Sequence, residues 1–387
     1  MAVTETSGKT LLALASAAMA LPGMPTQARA DSPPEVTTLG YRYSLYREDD
    51  IEPGKLASGS GERYDINIHQ FSLGTALGDD WGLAVNYQQE SLTGASPFGT
   101  SAGTDGQPKV VMTGASIEEL RRDLNVSARR YFDYSQLGMA LGYSAEDDYT
   151  AYSVSADGQT TSEDRLNTWG LGLTVSDDTL EPTQQTGFTR VTREDKQAVS
   201  VAASYTRVLS QVAQIQTGVS LKRLSGFLSD PYKAVDVRPD ERVSWAWATR
   251  YRRFFKDQNA ALHADYRLYS DDWGIISHTV DLAWYQNLDA NLRVVPSFRY
   301  YTQSQADFYF PTDKTSRTGY QSSDHRLSPF GAVTAGIRVE AHALNWKVVI
   351  GAERYMADGA LALGSVEVEH PALLSFTLVT LGMDYSF

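Results

Sequence analysis

Over most of the chain, apolar and polar side chains alternate along runs of about 10 to 14 residues, and a period of two is that of a β-strand with one apolar and one polar face. From Arg242 to Phe255 one phase holds Val243, Trp245, Trp247 and Tyr251, and the other holds Arg242, Ser244, Ala246, Ala248, Arg250 and Arg252. The next three runs repeat the plan. Leu262, Ala264, Tyr266 and Leu268 oppose His263, Asp265 and Arg267; Val280, Leu282 and Trp284 oppose Thr279, Asp281 and Tyr285; Leu292, Val294, Phe298 and Tyr300 oppose Arg293, Ser297, Arg299 and Tyr301. Earlier, Leu120, Leu124 and Val126 stand against Glu119, Arg121, Asp123 and Arg129, and the chain ends with Val379, Leu381, Met383, Tyr385 and Phe387 in one phase.

Fifteen strands are read near 38–47, 62–76, 81–91, 116–131, 136–148, 165–176, 196–209, 212–224, 241–255, 259–270, 275–288, 291–304, 326–340, 345–356 and 373–387. Short links such as 78–80, 133–135, 210–211, 256–258, 288–290 and 343–344 alternate with long polar stretches at 92–115, 225–240 and 306–324. A soluble β-sandwich also alternates, with its apolar face inside. Long strands, the short-turn and long-loop rhythm, and charges in mid-strand favour a transmembrane antiparallel β-barrel with short periplasmic turns and long extracellular loops. If both termini are periplasmic the strand number is even, so a sixteenth strand is expected between Tyr149 and Asp195, at Tyr149 to Ala156 or Gly187 to Thr192; 14 to 18 strands fit the pattern.

The first thirty residues differ: Lys9, an apolar stretch from Leu11 to Leu21, Pro22-Gly23, and Ala28-Arg29-Ala30 before Asp31 follow a signal-peptide plan with cleavage after Ala30. The rest, 31–387, is expected to be one barrel domain; it has no run of about eighteen apolar residues, which excludes a helical span. With the terminal aromatic, which resembles the signal read by the bacterial barrel-assembly machinery, this points to a Gram-negative outer membrane, with lipid and lipopolysaccharide as surroundings. A net charge of −13 and no basic run argue against nucleic acid, and the absence of cysteine is permissive of export.

Chemistry is sparse. None of the six histidines has metal-ligand spacing, so no metal site and no cofactor are expected. Asp271-Asp272 near His278, and Asp324-His325, could support acid–base work, but reading them as polar residues at strand ends leaves no enzyme expected. Acidic clusters at Glu48-Asp49-Asp50-Glu52, Glu146-Asp147-Asp148 and Asp177-Asp178 read as a solvated rim, with calcium as the alternative. The polar phase, turned inward, would line the pore with Arg121, Arg129, Arg250, Arg252, Arg267, Arg293 and Arg299 against Asp265 and Asp281. Five of these arginines, on four adjacent strands, form a ladder. It either focuses anions in an open lumen or is bonded to Asp265, Asp281 and tyrosines in a filled one.

Several phrases together resemble one family: Glu62-Arg63-Tyr64-Asp65 with His69-Gln70-Phe71, Gly94-Ala95-Ser96-Pro97, Asp230-Pro231-Tyr232-Lys233, Asp272-Trp273-Gly274 with Ser277-His278-Thr279, Arg299-Tyr300-Tyr301 with Phe308-Tyr309, and Ser323-Asp324-His325-Arg326. The chain is similar to the uncharacterised bacterial outer-membrane family catalogued as domain of unknown function 3570. That resemblance implies no catalytic residues; it points to extracytoplasmic redox or flavin traffic and to a loop constellation of Asp230, Pro231, Tyr232, Asp272, Trp273, His278, Asp324 and Arg326. The alternative for Trp273, Tyr300 and Tyr309 is an interfacial aromatic girdle. The expected function is a porin-like channel or transport barrel for small solutes, anions among them, with a non-conducting scaffold for a periplasmic lipoprotein, redox or flavin partner as the alternative.

Overall fold

The computed structural model describes residues 32–113, 117–184 and 189–387; the expected signal segment lies outside them. The described residues form sixteen antiparallel strands closed into a barrel. They are β1 (Thr38–Glu48), β2 (Asp65–Leu77), β3 (Trp81–Gly94), β4 (Ile117–Tyr131), β5 (Ser135–Ala145), β6 (Tyr149–Thr161), β7 (Asn167–Leu180), β8 (Glu194–Ser210), β9 (Ala213–Gly226), β10 (Glu241–Phe255), β11 (Ala260–Asp271), β12 (Ile276–Asn287), β13 (Leu292–Gln303), β14 (Phe330–Ala343), β15 (Trp346–Asp358) and β16 (Ser375–Ser386). The C-terminal strand closes the ring against β1, with Thr38 opposite Ser386 and Glu48 opposite Phe376. A closed ring has no free edge, which a membrane requires of strands.

The direction of the apolar phase separates a membrane barrel from a sandwich. Leu171 is 67% exposed and Leu221 60%, and Phe298, Ile337, Ile350 and Leu381 join them on the outer wall. Their neighbours Thr168, Ser200, Ala246, Ala248 and Thr334 turn inward and are buried. A sandwich would bury the first set; lipid covers it here. Among the described residues no helix is long and apolar enough to cross a membrane.

The sixteenth strand is Tyr149–Thr161, the first of the two expected positions, paired with β5 and β7. Asp157-Gly158 reads as a turn in sequence, yet it sits inside the strand, with Asp157 bonded to Arg129. Of the other candidate, Gly187 to Thr192, the first two residues lie outside the described ones and the remaining four are not strand. On β13, Pro296 has no N–H to donate. The ladder to β12 lapses there and resumes in the same register on either side, with Ala283 opposite Ser297 and Gln286 opposite Val294.

Seven turns at one end share it with both termini and are short, from 211–212 to 162–166. At the other end the links are 49–64, 95–116, 146–148, 181–193, 227–240, 272–275, 304–329 and 359–374, so the expected long-loop rhythm is broken by two short links. One glycine is demanded at this end: Gly94 has φ +138, and a Cβ there would meet the Arg63 carbonyl oxygen at 2.4 Å. It lets the end of β3 lie against the 49–64 link.

These loops reach across the mouth. The Ala234 amide donates to the Phe98 carbonyl at 2.9 Å, although their links leave the barrel six strands apart. Thr100 and Asp313 are joined by two bonds, Thr100 N to the Asp313 carboxylate at 2.9 Å and Asp313 N to the Thr100 carbonyl at 3.1 Å, across another six strands. Two small sheets stiffen this layer: 56–58 with 97–102 and 108–112, and 236–237 with 321–322. The loops therefore form a lid. Beneath it, Tyr46, Ile66, Ile68, Leu92 and Phe376 break the polar-inward pattern and fill the lumen beside β1, β2, β3 and β16 with apolar side chains. The space left open lies on the opposite wall.

Candidate functional site

The inward arginines divide into two groups. Deep in the barrel they are bonded: Arg252 and Arg299 pair with Asp265 and Asp281, and Arg250 Nε lies 4.0 Å from Asp265. Arg129 bonds Asp157 at 2.7 Å, and Glu340 gathers Arg338 at 2.8 Å, Arg293 at 3.4 Å and Lys347 at 4.0 Å. The Arg299–Asp281 pair follows from hairpin register, since the two face each other across β12 and β13; Asp265 faces Arg250 across β10 and β11, and Arg252, opposite His263, reaches it diagonally. This part of the ladder matches the filled-lumen alternative.

Nearer the lid, Arg121 and Arg267 face a cavity of about 640 Å³. Its described lining carries seven basic side chains, Arg121, Lys196, Lys222, Arg238, Arg242, Arg267 and Arg326, against Asp123, Asp178 and Asp230, with Tyr149, Tyr269, Trp273 and Tyr301 between them. The chain as a whole is acidic, so the charge has been sorted. Most of these cations have partners: Lys196 lies 3.2 Å from Asp178, and Arg242 bonds Asp271 while lying 4.4 Å from the Trp273 ring. Arg267 differs: it is packed against the Tyr269 ring at 5.3 Å, and its buried Nε has no hydrogen-bond partner among the described residues. A buried donor left unmet is costly, and a bound anion would meet it.

The roof of the cavity is a buried polar cluster. Asp324 has no exposed surface and takes hydrogen bonds from Arg238 (2.7 Å) and Arg326 (2.8 Å), while Arg326 reaches Asp230 at 3.3 Å and Arg238 reaches Asp236 at 2.8 Å. Burial by itself raises the Asp324 carboxyl, but the charges of Arg326, Lys233 and Arg238 hold it well below the usual carboxylate range. Asp236, buried beside Asp230 and Asp324, is pushed up. Burial lowers His370 to about 3, and its neutral ring accepts from the Ala372 amide and donates to the Ser323 carbonyl, pinning the 359–374 link.

Of the residues expected to form a loop constellation, Asp230, Asp324 and Arg326 meet in this cluster, Pro231 lines the cavity, and Tyr232 donates to Asp148. Trp273 is buried with Ile275, Ala306, Phe308, Tyr309 and Leu327, so Trp273 and Tyr309 belong to the lid core and not to a girdle. Asp272 caps the Val243 amide at 3.0 Å, away from the cluster. His278 is on the lipid-facing phase, 2.8 Å from the Tyr266 hydroxyl, and does not join it. The solvated acidic rim holds for Asp49, Asp50, Glu52, Asp147 and Asp177, which are exposed, and needs correcting for the rest. Glu48 is buried against Arg63 at 2.5 Å, Asp178 is buried against Lys196, and Asp148 is buried. Buried carboxylates need partners, and these lie in other loops, which is why local sequence missed them. Arg238, Asp236 and His370 were missed for the same reason.

Comparison with curated proteins returned no match. Among solved structures, CdiB from Acinetobacter baumannii aligns with a TM-score of 0.51 at 8% identity, over 93% of this chain and 61% of that one; this chain thus spans about three fifths of its length. A bacterial polysaccharide outer membrane secretin gives 0.49 at 8% over 91% and 98%, and a TodX monoaromatic hydrocarbon channel mutant 0.45 at 10% over 95% and 96%. At such identities likeness speaks to the fold alone, and the first of these carries it: an outer-membrane β-barrel. The sequence itself places the chain more closely, because a family model matches residues 11–369, and the protein belongs to the family described as Protein of unknown function (DUF3570).

Proposed function

We propose that this protein is a lidded transport barrel of the bacterial outer membrane, admitting small anionic solutes through its basic cavity. The observation that carries the reading is Arg267: a half-buried guanidinium whose buried Nε has an unmet donor, set in a cavity where seven cations face three carboxylates. A low-dielectric wall strengthens the field of such an array on an entering anion. The tyrosines and Trp273 supply apolar and hydrogen-bonding surface for a small organic anion.

Solute uptake into proteoliposomes tests this. Small carboxylates should enter faster than neutral sugars of equal size, and Arg267→Gln should reduce that preference severalfold. Equal rates for both classes, or a variant indistinguishable from the native barrel, would count against it.

The bonded arginines deeper in the lumen and the interlocked lid favour a second reading, a non-conducting scaffold for a periplasmic redox or flavin partner. Vesicles tight to every solute, together with a stoichiometric periplasmic partner on purification, would select it.

A further inference from the structure

Beside the cavity, the short link 146–148 continues the β5 side of its pairing with β4. Arg122 faces Ala145 in that register, so three residues further on Asp148 comes opposite Glu119, and Glu146 opposite Arg121. The side chains follow: the carboxylates of Glu119, Glu146 and Asp148 each place an oxygen within 4.8 Å of the others. Asp148 is 3% exposed, Glu119 7%, and the Glu146 side chain 3%.

Arg121 lies 3.5 Å from Glu146 but is shared with Glu90 and Asp123, each at 3.9 Å. Asp148 receives the Tyr232 hydroxyl on Oδ2, and its buried Oδ1 has no hydrogen-bond partner among the described residues. A cluster of exposed acids would be unremarked; a buried one containing a carboxylate oxygen with nothing bonded to it points to a missing ligand.

We propose that Glu119, Glu146 and Asp148 bind a calcium ion. The donors are hard oxygens, and oxygens about 2.3–2.6 Å from Ca²⁺ can lie no more than about 5 Å apart across it, which the triad satisfies. Three protein carboxylates leave room for waters in a six- to eight-fold shell, and the irregular set suits Ca²⁺ better than Mg²⁺, which demands a near-ideal octahedron. The ion also acts on the lid. Asp148 holds Tyr232 of the 227–240 link, and the Tyr232 hydroxyl accepts from the Thr183 amide of the 181–193 link at 2.8 Å. An ion on Asp148 Oδ1 fixes the carboxylate where the Tyr232 hydroxyl meets it, and so keeps the three links joined. This inference does not depend on which solute the barrel carries.

The test is equilibrium dialysis of ⁴⁵Ca²⁺ against the intact barrel in detergent, stripped of lipopolysaccharide and treated with EDTA. One ion per chain is expected, half-saturated between about 10⁻⁴ and 10⁻³ M as in extracellular calcium modules, with Mg²⁺ competing weakly. Glu146→Gln and Asp148→Asn should each weaken binding at least tenfold, and Asp49→Asn, in another acidic cluster, should not. Folding of each variant is checked by its heat-modifiable mobility on gels. Should a variant fail to fold, terbium on the native barrel decides: tyrosine-sensitised emission displaced by Ca²⁺ supports the site, and its absence overturns it. No saturable Ca²⁺ binding, or binding that survives both substitutions, also overturns the proposal.

Discussion

Two aspartates show how burial gives one residue type opposite behaviour. Asp324 lies between Arg238 and Arg326 with no exposed surface. Removing one partner of a buried pair costs about 3–5 kcal/mol, because the other charge stays buried. Asp324→Asn should therefore loosen the lid by that order, read as faster deuterium uptake across 304–329 and 227–240 with the barrel strands unchanged; unchanged lid protection would contradict the assigned pairing. Asp148 works the other way. Its folded value of about 6 lies above that of a free aspartate, so its contribution to stability is complete below about pH 4 and is lost as pH rises through 6. In EDTA, lid nicking by protease should be faster at pH 7 than at pH 5, Asp148→Asn should remove that difference, and calcium should suppress it. Asp324, held low, contributes above about pH 4 and loses that contribution only in stronger acid. A native barrel nicked equally at both pH values in EDTA would refute the role given to Asp148.

At the level of the strands, the wall was legible in sequence because each position's phase is a local property. Leu173 on β7 points to lipid, and its neighbour Thr174 points inward, where it bonds Ser155 at 3.0 Å. Leu173→Arg should cost about 2–4 kcal/mol in refolding into lipid vesicles and Thr174→Lys under about 1 kcal/mol; equal costs would mean that the two faces are misassigned. Cross-strand pairs were partly legible too, since a short turn sets the register that puts Arg250 opposite Asp265. The lid was not legible. Its bonds join links that leave the barrel six strands apart, as Phe98 to Ala234 and Thr100 to Asp313 do. Nothing in the periodicity of either loop specifies the other, so some acids that read as a solvated rim, Glu48, Asp148 and Asp178 among them, prove to be buried, and His278, grouped with the loop motif by the family resemblance, turns to lipid.

For the whole molecule, apolar side chains lie outside, bonded charges lie deep in the lumen and a basic cavity sits under an interlocked lid; on the proposed reading such a barrel is closed at rest and selective once opened. Among the contacts that hold the lid, Tyr232 to Asp148 and Asp324 to its two arginines are side-chain bonds that substitution can remove without altering a wall residue. The most direct test is the reversal potential of single barrels in a planar bilayer under a salt gradient, native against a Tyr232→Phe, Asp324→Asn double variant. Rare openings are expected for the native barrel, frequent openings for the double variant, and in both a reversal potential of the sign set by anions, which Arg267→Gln moves toward zero. Current of cation sign, or no current from a folded double variant, would contradict it.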